Sequence, residues 1–365
     1  MNTLLRTACH PWHTAHGGRM VDFAGWEMPV QYSSIVAEHK AVRQAAGLFD
    51  IAHMGRLKFN GPDAVKFLDH LLTNEVASLK MGQVRYALVC QENGGVLDDV
   101  LVYRFPETHL LVVNASNRLK ILDWIAKHQS GFDCQVQDCT ESHFMLALQG
   151  PSSLSLLQPL TDIPLEPMGY YFGAPAKVLG QPALVSRTGY TGEDGYEVIV
   201  EADQGLKLWE TLLAAGANAG VLPAGLGCRD TLRLEAAMPL YGHELNESVD
   251  PLTAGLGFAV KLKKPDFIGR AALEAIKATP NRPVRVGLEL TGKRIAREGS
   301  LVFTGDQQIG NVTSGTFSPT LEKSISMAYV NPAQSSVGTT VDVDIRGQRI
   351  AATVVKLPFY QREVK

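Results

Sequence analysis

Apolar positions recur along this chain with two different spacings, and the spacing changes mark its elements. In residues 34–46 (SIVAEHKAVRQAA) they return every three or four positions, the repeat of one helix face, with Ser34 placed to cap the start and Gly47 to end it. The following FDIAHMGRLKFNG alternates like a strand, and GPDAVKFLDHLLTN returns to helical spacing with Pro62 in its first turn. Residues 85–105 predict a β-hairpin: RYALVC and VLDDVLVYRF flank ENGG, and Asn-Gly fits the positive backbone angles of a tight turn. LLVVNASN then reads as a strand and NRLKILDWIAKH as a helix, which together give helices laid on an antiparallel sheet.

Residues 183–200 (ALVSRTGYTGEDGYEVIV) predict two strands around a Gly-rich loop, followed by helices in LKLWETLLAAG, with Gly216 able to cap its end, and in LGCRDTLRLEAA. After TPNRP, at 279–283, the pattern changes. RVGLEL, SLVFTG, QIGNVTSG, SISMAYV, TTVDVDIRG and RIAATVVKL are short strands between Gly or polar turns, so an all-β barrel or sandwich begins after a boundary near 275–285. No strand–helix unit of fixed size repeats, which argues for α+β rather than a doubly wound sheet.

A length of 365 residues favours two or three domains, and 45% hydrophobic with 19% charged residues is an ordinary globular composition. The net charge of -3 supplies no basic field for phosphate backbones, which argues against general nucleic-acid binding. No uncharged apolar run is long enough to span a bilayer. Cys9, Cys90, Cys134, Cys139 and Cys228 form no CxxC pair, as expected in a reducing compartment. Met1 to Pro11 carries neither a signal core nor an Arg/Ser-rich amphipathic stretch, so a cytoplasmic, bacterial protein is expected.

Four stretches can carry chemistry. In VLDDVLVYRF, alternation puts Asp99, Leu101 and Tyr103 on one face and Asp98, Val100 and Val102 on the other. One of the two acids then faces a less solvated environment and needs a partner or ligand, unless both lie solvated at the hairpin mouth. In SRTGYTGEDGYE the glycines allow a flat ligand close to the backbone, Tyr190 can stack on a ring, and Glu197 can accept two N–H bonds from an amidine-like edge. A tight hairpin with both side chains on the surface fits the same letters. Arg229 and Arg233 stand four apart on one helix face, suited to a carboxylate ligand or to an ion-pair network with Asp230 and Glu235. Asn114, at the end of LLVVNASN, can cap the next helix, and Asn114 or Asn117 can equally bind a ligand. His10, His13 and His16 have helical spacing but no acidic neighbour in the sequence, so no metal site is expected. Lys261, Lys263 and Lys264 read as a solvated charge run or a basic docking patch.

Taken in order, MVDFAGWEMPVQYSSI, GLFDIAHMGR, GGVLDDVLVYR, LVVNASN, LQGP, SRTGYTGEDGYE, PAGLGCRDTLRLEAAMPLYGHEL, GKRIAREG and GNVTSGTFSPTLEKSISMAYV resemble the T-protein family of the glycine cleavage system along nearly the whole chain. The resemblance implies an α+β, three-domain cloverleaf around a central folate channel, with an all-β C-terminal barrel. It divides the chain into a discontinuous first domain (1–52 with 140–275), a second domain (53–139) and a barrel domain (280–365). It implies an aminomethyltransferase that takes the methylene carbon from the aminomethyl-dihydrolipoyl arm of H protein to tetrahydrofolate, giving 5,10-methylenetetrahydrofolate and ammonia. Lipoate arrives on H protein, the partner of a monomeric enzyme. By motif position, Asp99 matches the catalytic aspartate. Met54, Tyr86, Tyr103 and Asn114 match the lining of the folate channel, and Tyr190, Glu197 and Arg229 match folate contacts. Met238 and the tail LPFYQREVK depart from the family pattern, which leaves Tyr360 and Arg362 without an assigned contact.

Other readings fit the same fold. A non-catalytic folate-binding relative that assists iron–sulfur work would carry a KGCYxGQE-type stretch where this chain has PLYGHELNES. The folate-binding half of a sarcosine or dimethylglycine dehydrogenase would be fused to a flavin domain, and no GxGxxG stands near this N-terminus. A scaffold without ligand would need only the Gly-rich turns and strands.

Overall fold

A computed structural model describes residues 3–363, and its contacts gather the chain into two units. The first holds the chain to Ala87, Val100–Gly189 and Glu193–Arg229; the second holds Leu88–Asp99, Tyr190–Gly192 and the chain from Asp230 onward. Helices and largely antiparallel sheets are mixed without a repeating crossover, so the fold class is α+β, as the pattern predicts.

In the first unit, six strands form a sheet in the order Gly173–Val178, Gln181–Ser186, Gly195–Glu201, His143–Gln149, Gly47–Asp50, Leu222–Pro223. Four of the pairings are antiparallel and the last is parallel. Tyr196, Val198 and Val200 point to one face, where they join Leu146, Leu148 and the Trp209 and Leu212 side chains of helix Gly205–Gly216 in a core. Glu197 lies between them in sequence and therefore faces the other way. Strand Gly195–Glu201 is buried at every residue but its last, so a carboxylate on that second face cannot rely on water.

A second sheet has the order Val84–Cys90, Val96–Arg104, His109–Val113, Gly55–Asn60, Gln135–Asp138, with helices Ala64–Leu71 and Arg118–His128. In the second unit, helix Arg270–Ala278 precedes a closed barrel. Its order is Val284–Leu290, Lys323–Val330, Gln307–Ser318, Leu301–Thr304, Thr340–Ile345, Gln348–Val355, and the last strand pairs back onto the first. Val286, Leu288, Leu290, Val341, Val343, Ala352 and Val354 fill its interior at alternate positions. The six strands predicted after residue 283 are the six barrel strands, and closure removes every exposed edge.

Some boundaries differ from the pattern. Ser34 caps its helix by accepting from Ala37 N at 3.1 Å, but the helix ends at Gln44 and Gly47 opens a strand. A Cβ on Gly47 would stand 2.4 Å from Val42 Cγ2, so glycine there permits close strand–helix approach rather than a cap. The left-handed residue after helix Gly205–Gly216 is Gly220, not Gly216. FDIAHMGRLKFNG is not one strand: residues 51–54 form a turn between Gly47–Asp50 and Gly55–Asn60. His143–Gln149 escaped the pattern because it is buried on both faces and reads as a continuous apolar run.

Candidate functional site

Antiparallel pairing sets Glu197 opposite Ser186 on one neighbouring strand and Ala147 on the other. The Glu197 carboxylate is 6% exposed and accepts from Thr188 Oγ1 at 2.5 Å, while Ser186 Oγ stands 2.8 Å from the same threonine hydroxyl. Burial pushes the Glu197 carboxyl above its ordinary range, and the Thr188 bond, the Arg229 charge and the Tyr103 hydroxyl pull it back. Tyr103 is 2% exposed. Its hydroxyl feels the neighbouring Glu197, Thr188 and Ser186 but completes no hydrogen bond of normal geometry. Burial, then the Glu197 charge, holds the phenol well above its usual pKa. Gln149 supports this corner through Nε2, which donates to Thr188 O at 3.0 Å. A Cβ on Gly189 would fall 1.9 Å from Gln149 Oε1, so the Gly after Thr188 is required by that contact.

The turn at 51–54 is anchored at both ends by buried charged side chains. Asp50 accepts from Thr7 Oγ1 at 2.6 Å, from His13 Nε2 at 2.8 Å and from Ala52 N at 2.9 Å. With Nε2 donating to Asp50, His13 Nδ1 accepts from the Tyr32 hydroxyl at 2.9 Å. Arg56, 1% exposed, donates to the carbonyls of Ala52 (3.0 Å), Met54 (2.5 Å), His143 (2.9 Å) and Thr140. Burial lowers its pKa to about 10, still cationic at neutral pH. Between these anchors His53 is 2% exposed, and burial, with Arg229 and Arg56 adding to it against Asp50, lowers its pKa to about 3. Its imidazole is neutral under ordinary conditions.

In the second unit, the hairpin tip is tied down by Gln91 N→Gly95 O (2.8 Å) and Val96 N→Asn246 O (3.2 Å). Asp98 is fully buried and Asp99 only partly so. The two acids are therefore not both solvated, and the more deeply buried one is Asp98. Tyr190 is half-buried and its hydroxyl donates to Pro239 O. The segment around Pro239 is held by Glu244, which accepts from Leu240 N at 3.0 Å, Arg233 Nη1 at 2.8 Å and Thr313 Oγ1 at 2.5 Å.

Residues 9–264 match the GCVT N-terminal domain, and residues 284–361 match the glycine cleavage T-protein C-terminal barrel domain. The aminomethyltransferase of Streptomyces coelicolor is 50% identical over 99% of this chain and 98% of its own length. That of Geobacillus thermodenitrificans is 49% identical over 98% and 99%. The crystal structure of the glycine cleavage system aminomethyltransferase T from Bartonella henselae superposes with a TM-score of 0.91, at 35% identity, covering 99% of this chain and 100% of that one. The chain belongs to the glycine cleavage T-protein family. As a T protein it is an aminomethyltransferase, an enzyme of one-carbon transfer.

Of the site residues expected of a T protein, Tyr103, Glu197 and Arg229 come together in one electrostatic cluster. Tyr86, Tyr103 and Asn114 come from three successive strands of the second sheet, with Asn114 just past the end of its strand. Met54 closes the anchored turn, its N–H donating to Ile51 O at 3.0 Å. Neither Asn114 nor Asn117 caps the following helix through its side chain. Thr188, Ser186, Gln149 and His53 were missed, although all stand in or beside the family-like stretches; Ser186, Thr188 and Gln149 join the cluster through hydrogen bonds that only the fold makes.

Three expectations need correction. Arg233 is not half of a carboxylate clamp: it is 2% exposed and spends its donors on Glu244, Asp230 and Ser314, each at 2.8 Å. It belongs to an ion-pair network, but with Glu244 rather than Glu235, whose carboxylate accepts instead from Thr320 N at 3.1 Å and Thr320 Oγ1 at 2.8 Å. The N-terminal histidines do have acidic neighbours, supplied by tertiary contact: Glu27 lies 2.9 Å from His10, and Asp50 pairs with His13. Lys264 is not part of a solvated run; it is 4% exposed, with Nζ 5.2 Å from the Phe267 ring centroid.

His53 gives a signed pH prediction. Its folded pKa lies below the unfolded value, so between pH about 6.5 and about 3 unfolding takes up one proton at this site, and stability falls as pH falls. In this window His53 contributes a slope of roughly 1.4 kcal/mol per pH unit. Denaturant titrations at pH 6.5 and 5 on wild type and His53→Asn are expected to show a shallower acid limb in the variant; equal slopes contradict the assignment.

Proposed function

We propose that this T protein moves the methylene carbon of an aminomethyl group, borne on the dihydrolipoyl sulfur of H protein, to tetrahydrofolate. The products are 5,10-methylenetetrahydrofolate, ammonia and the reduced lipoyl arm. The observation that carries this reading is the buried Glu197 carboxylate beside Arg229, in a chain that matches aminomethyltransferases over its full length. A pterin presents an amidine-like N–H edge, and Glu197 is a buried acceptor for it. Arg229, whose charge acts on the Glu197 carboxylate, is a further folate contact at that edge in this reading. The Tyr103 hydroxyl is a further polar group without a completed bond in the same corner, so the donor set fits a reduced folate.

Tetrahydrofolate supplies the nucleophilic nitrogen that receives the carbon. Glu197, Tyr103 and Arg229 bind and orient it, which turns a bimolecular step into a positioned one. Met54, Tyr86, Asn114 and Tyr190 line the site in this reading, and Tyr190 is steadied by Pro239 O. Asp99 is the catalytic residue. As ammonia leaves, positive charge develops on the transferred carbon, and an ionised carboxylate stabilises it.

We further infer the three-domain division given by the family likeness: 1–52 with 140–275, 53–139, and 280–365, whose last two residues lie outside the described chain. Its support is that each sheet draws its strands from one of these segments. The enzyme works as a monomer that meets H protein transiently in the bacterial cytoplasm. Five free, buried cysteines suit that compartment, and no described helix is long and apolar enough to cross a membrane.

The decisive assay is ammonia release from aminomethylated H protein with and without tetrahydrofolate. Fast release that depends on tetrahydrofolate supports the reading, and release indifferent to it overturns it. Glu197→Gln replaces a charged acceptor by a neutral amide and is expected to weaken tetrahydrofolate binding roughly tenfold or more. An unchanged dissociation constant in calorimetry counts against that contact.

A further inference from the structure

His53 has no part in the scheme above, yet it is among the most constrained polar side chains of the first unit. Its ring is 2% exposed, and Nδ1 is fully buried without a hydrogen-bond partner. Buried polar atoms are nearly always paired, so an orphan nitrogen on an ordered ring needs a reason. The turn that carries it is not loose: Asp50 binds Ala52 N at one end and Arg56 binds Ala52 O and Met54 O at the other. Two buried charged side chains thus hold one imidazole in place.

We propose that His53 is a ligand-positioning residue whose buried, unpartnered Nδ1 hydrogen-bonds the reduced pterin of tetrahydrofolate; this rests on tetrahydrofolate being the acceptor. Its place supports this. His53 adjoins Met54 in the chain and lies within electrostatic reach of Arg229, which in turn acts on Glu197.

Three other roles fit less well. Packing alone does not need nitrogen: the Phe23 ring meets His53 edge-on at 5.5 Å between centroids, a contact a phenyl ring would make as well. A general base is excluded by the surroundings, since burial and the charges of Arg229 and Arg56 oppose the imidazolium more than Asp50 favours it. An Asp50–His53 hydrogen-bonded pair is not formed: Nδ1 has no partner, and Asp50 accepts from Thr7, His13 and Ala52 N. What remains is a fixed, uncharged group that can donate or accept one bond, as a pterin ring of alternating donors and acceptors requires.

The test uses the full-length enzyme in three forms: wild type, His53→Phe and His53→Asn. Phe keeps the ring and removes both nitrogens; Asn places a polar atom near the position of Nδ1. Expected is a roughly 10- to 100-fold rise in the tetrahydrofolate Kd and KM for the Phe variant, with a much smaller change in kcat. The Asn variant is expected to recover most of the affinity, which a purely structural role would not produce. Wild type labelled with ¹⁵N-histidine is expected to shift its His53 Nδ1 resonance on saturation with tetrahydrofolate, a readout that holds even if the Phe variant misfolds. Unchanged affinity in His53→Phe, equal losses in Phe and Asn, or an unmoved resonance in saturated wild type overturns the role of His53. Wild type that fails to bind tetrahydrofolate overturns the folate reading itself.

Discussion

Asp99→Asn lowers single-turnover ammonia release roughly 100- to 10,000-fold, the range for one positioned charge-stabilising or acid–base group. The substitution keeps the shape of the side chain and removes its charge, so the loss falls on the step in which positive charge appears on the carbon. The strand around it gives little reason for collapse: Val96, Val100 and Val102 are buried, and the turn before it is held by main-chain bonds. Tetrahydrofolate binding is therefore expected to change far less than turnover. Because Asp98 and Asp99 point to opposite faces, the carboxyl at 98 cannot take over. Release near the wild-type rate in Asp99→Asn, at saturating tetrahydrofolate, removes Asp99 from the mechanism.

Glu244→Ala destabilises the second unit by about 3–5 kcal/mol, the usual cost of stranding a buried charge. Glu244 is fully buried and is the closest carboxylate to Arg233 that is itself buried. Removing it leaves the Arg233 guanidinium in a dry site with one largely exposed acid, Asp230, deprives Leu240 N of its acceptor, and leaves Thr313 Oγ1 only Met327 O. The arginine cannot escape by losing its proton. A guanidinium stays protonated in proteins even without its partners; with Glu244 in place, burial opposes the charge but Tyr190, Glu244 and Asp230 hold the pKa above the ordinary value. For Glu244, burial works to raise the pKa, but Arg233 and the hydroxyls of Ser314 and Thr313 outweigh it and leave the net shift downward. Its stabilising share is present above the unfolded pKa of about 4.3 and is lost as pH falls through the folded value. Urea denaturation is the measurement, and a loss under about 1 kcal/mol would show that the pair is replaceable. The double variant Arg233→Met with Glu244→Met is expected to recover much of the loss, since an apolar pair carries no desolvation cost. Function is affected too: Leu240 follows Pro239, whose carbonyl takes the Tyr190 hydroxyl, so loosening Glu244 loosens Tyr190.

How far the site was legible depended on the residue. Asp99 and Tyr103 could be set on one face because strand alternation needs no tertiary information. Glu197 was legible as a candidate acceptor, but whether it lay on a surface hairpin or in the interior was open. The fold decided it by burying both faces of its strand. Arg229 and Arg233 looked equivalent on the helix; the fold separated them by supplying Glu244 and Ser314 to one alone. His53 is not legible as a site residue, because FDIAHMGR alternates like a strand and only the folded chain breaks it with a turn at 51–54.

By itself the sequence determined the α+β class, the six barrel strands, the hairpin at Asn-Gly and the ordered motifs of the T-protein family. These are properties of local period and turn chemistry, which a few neighbouring residues specify. Only the tertiary structure decided that His13 meets Asp50, that Arg233 meets Glu244, that Asp98 rather than Asp99 is fully enclosed, and that the His53 ring is neutral. The reason is that periodicity records which faces are apolar, whereas the partner of a buried polar group comes from another element. Which element arrives is set by sheet order and packing, across separations such as the 37 residues between His13 and Asp50.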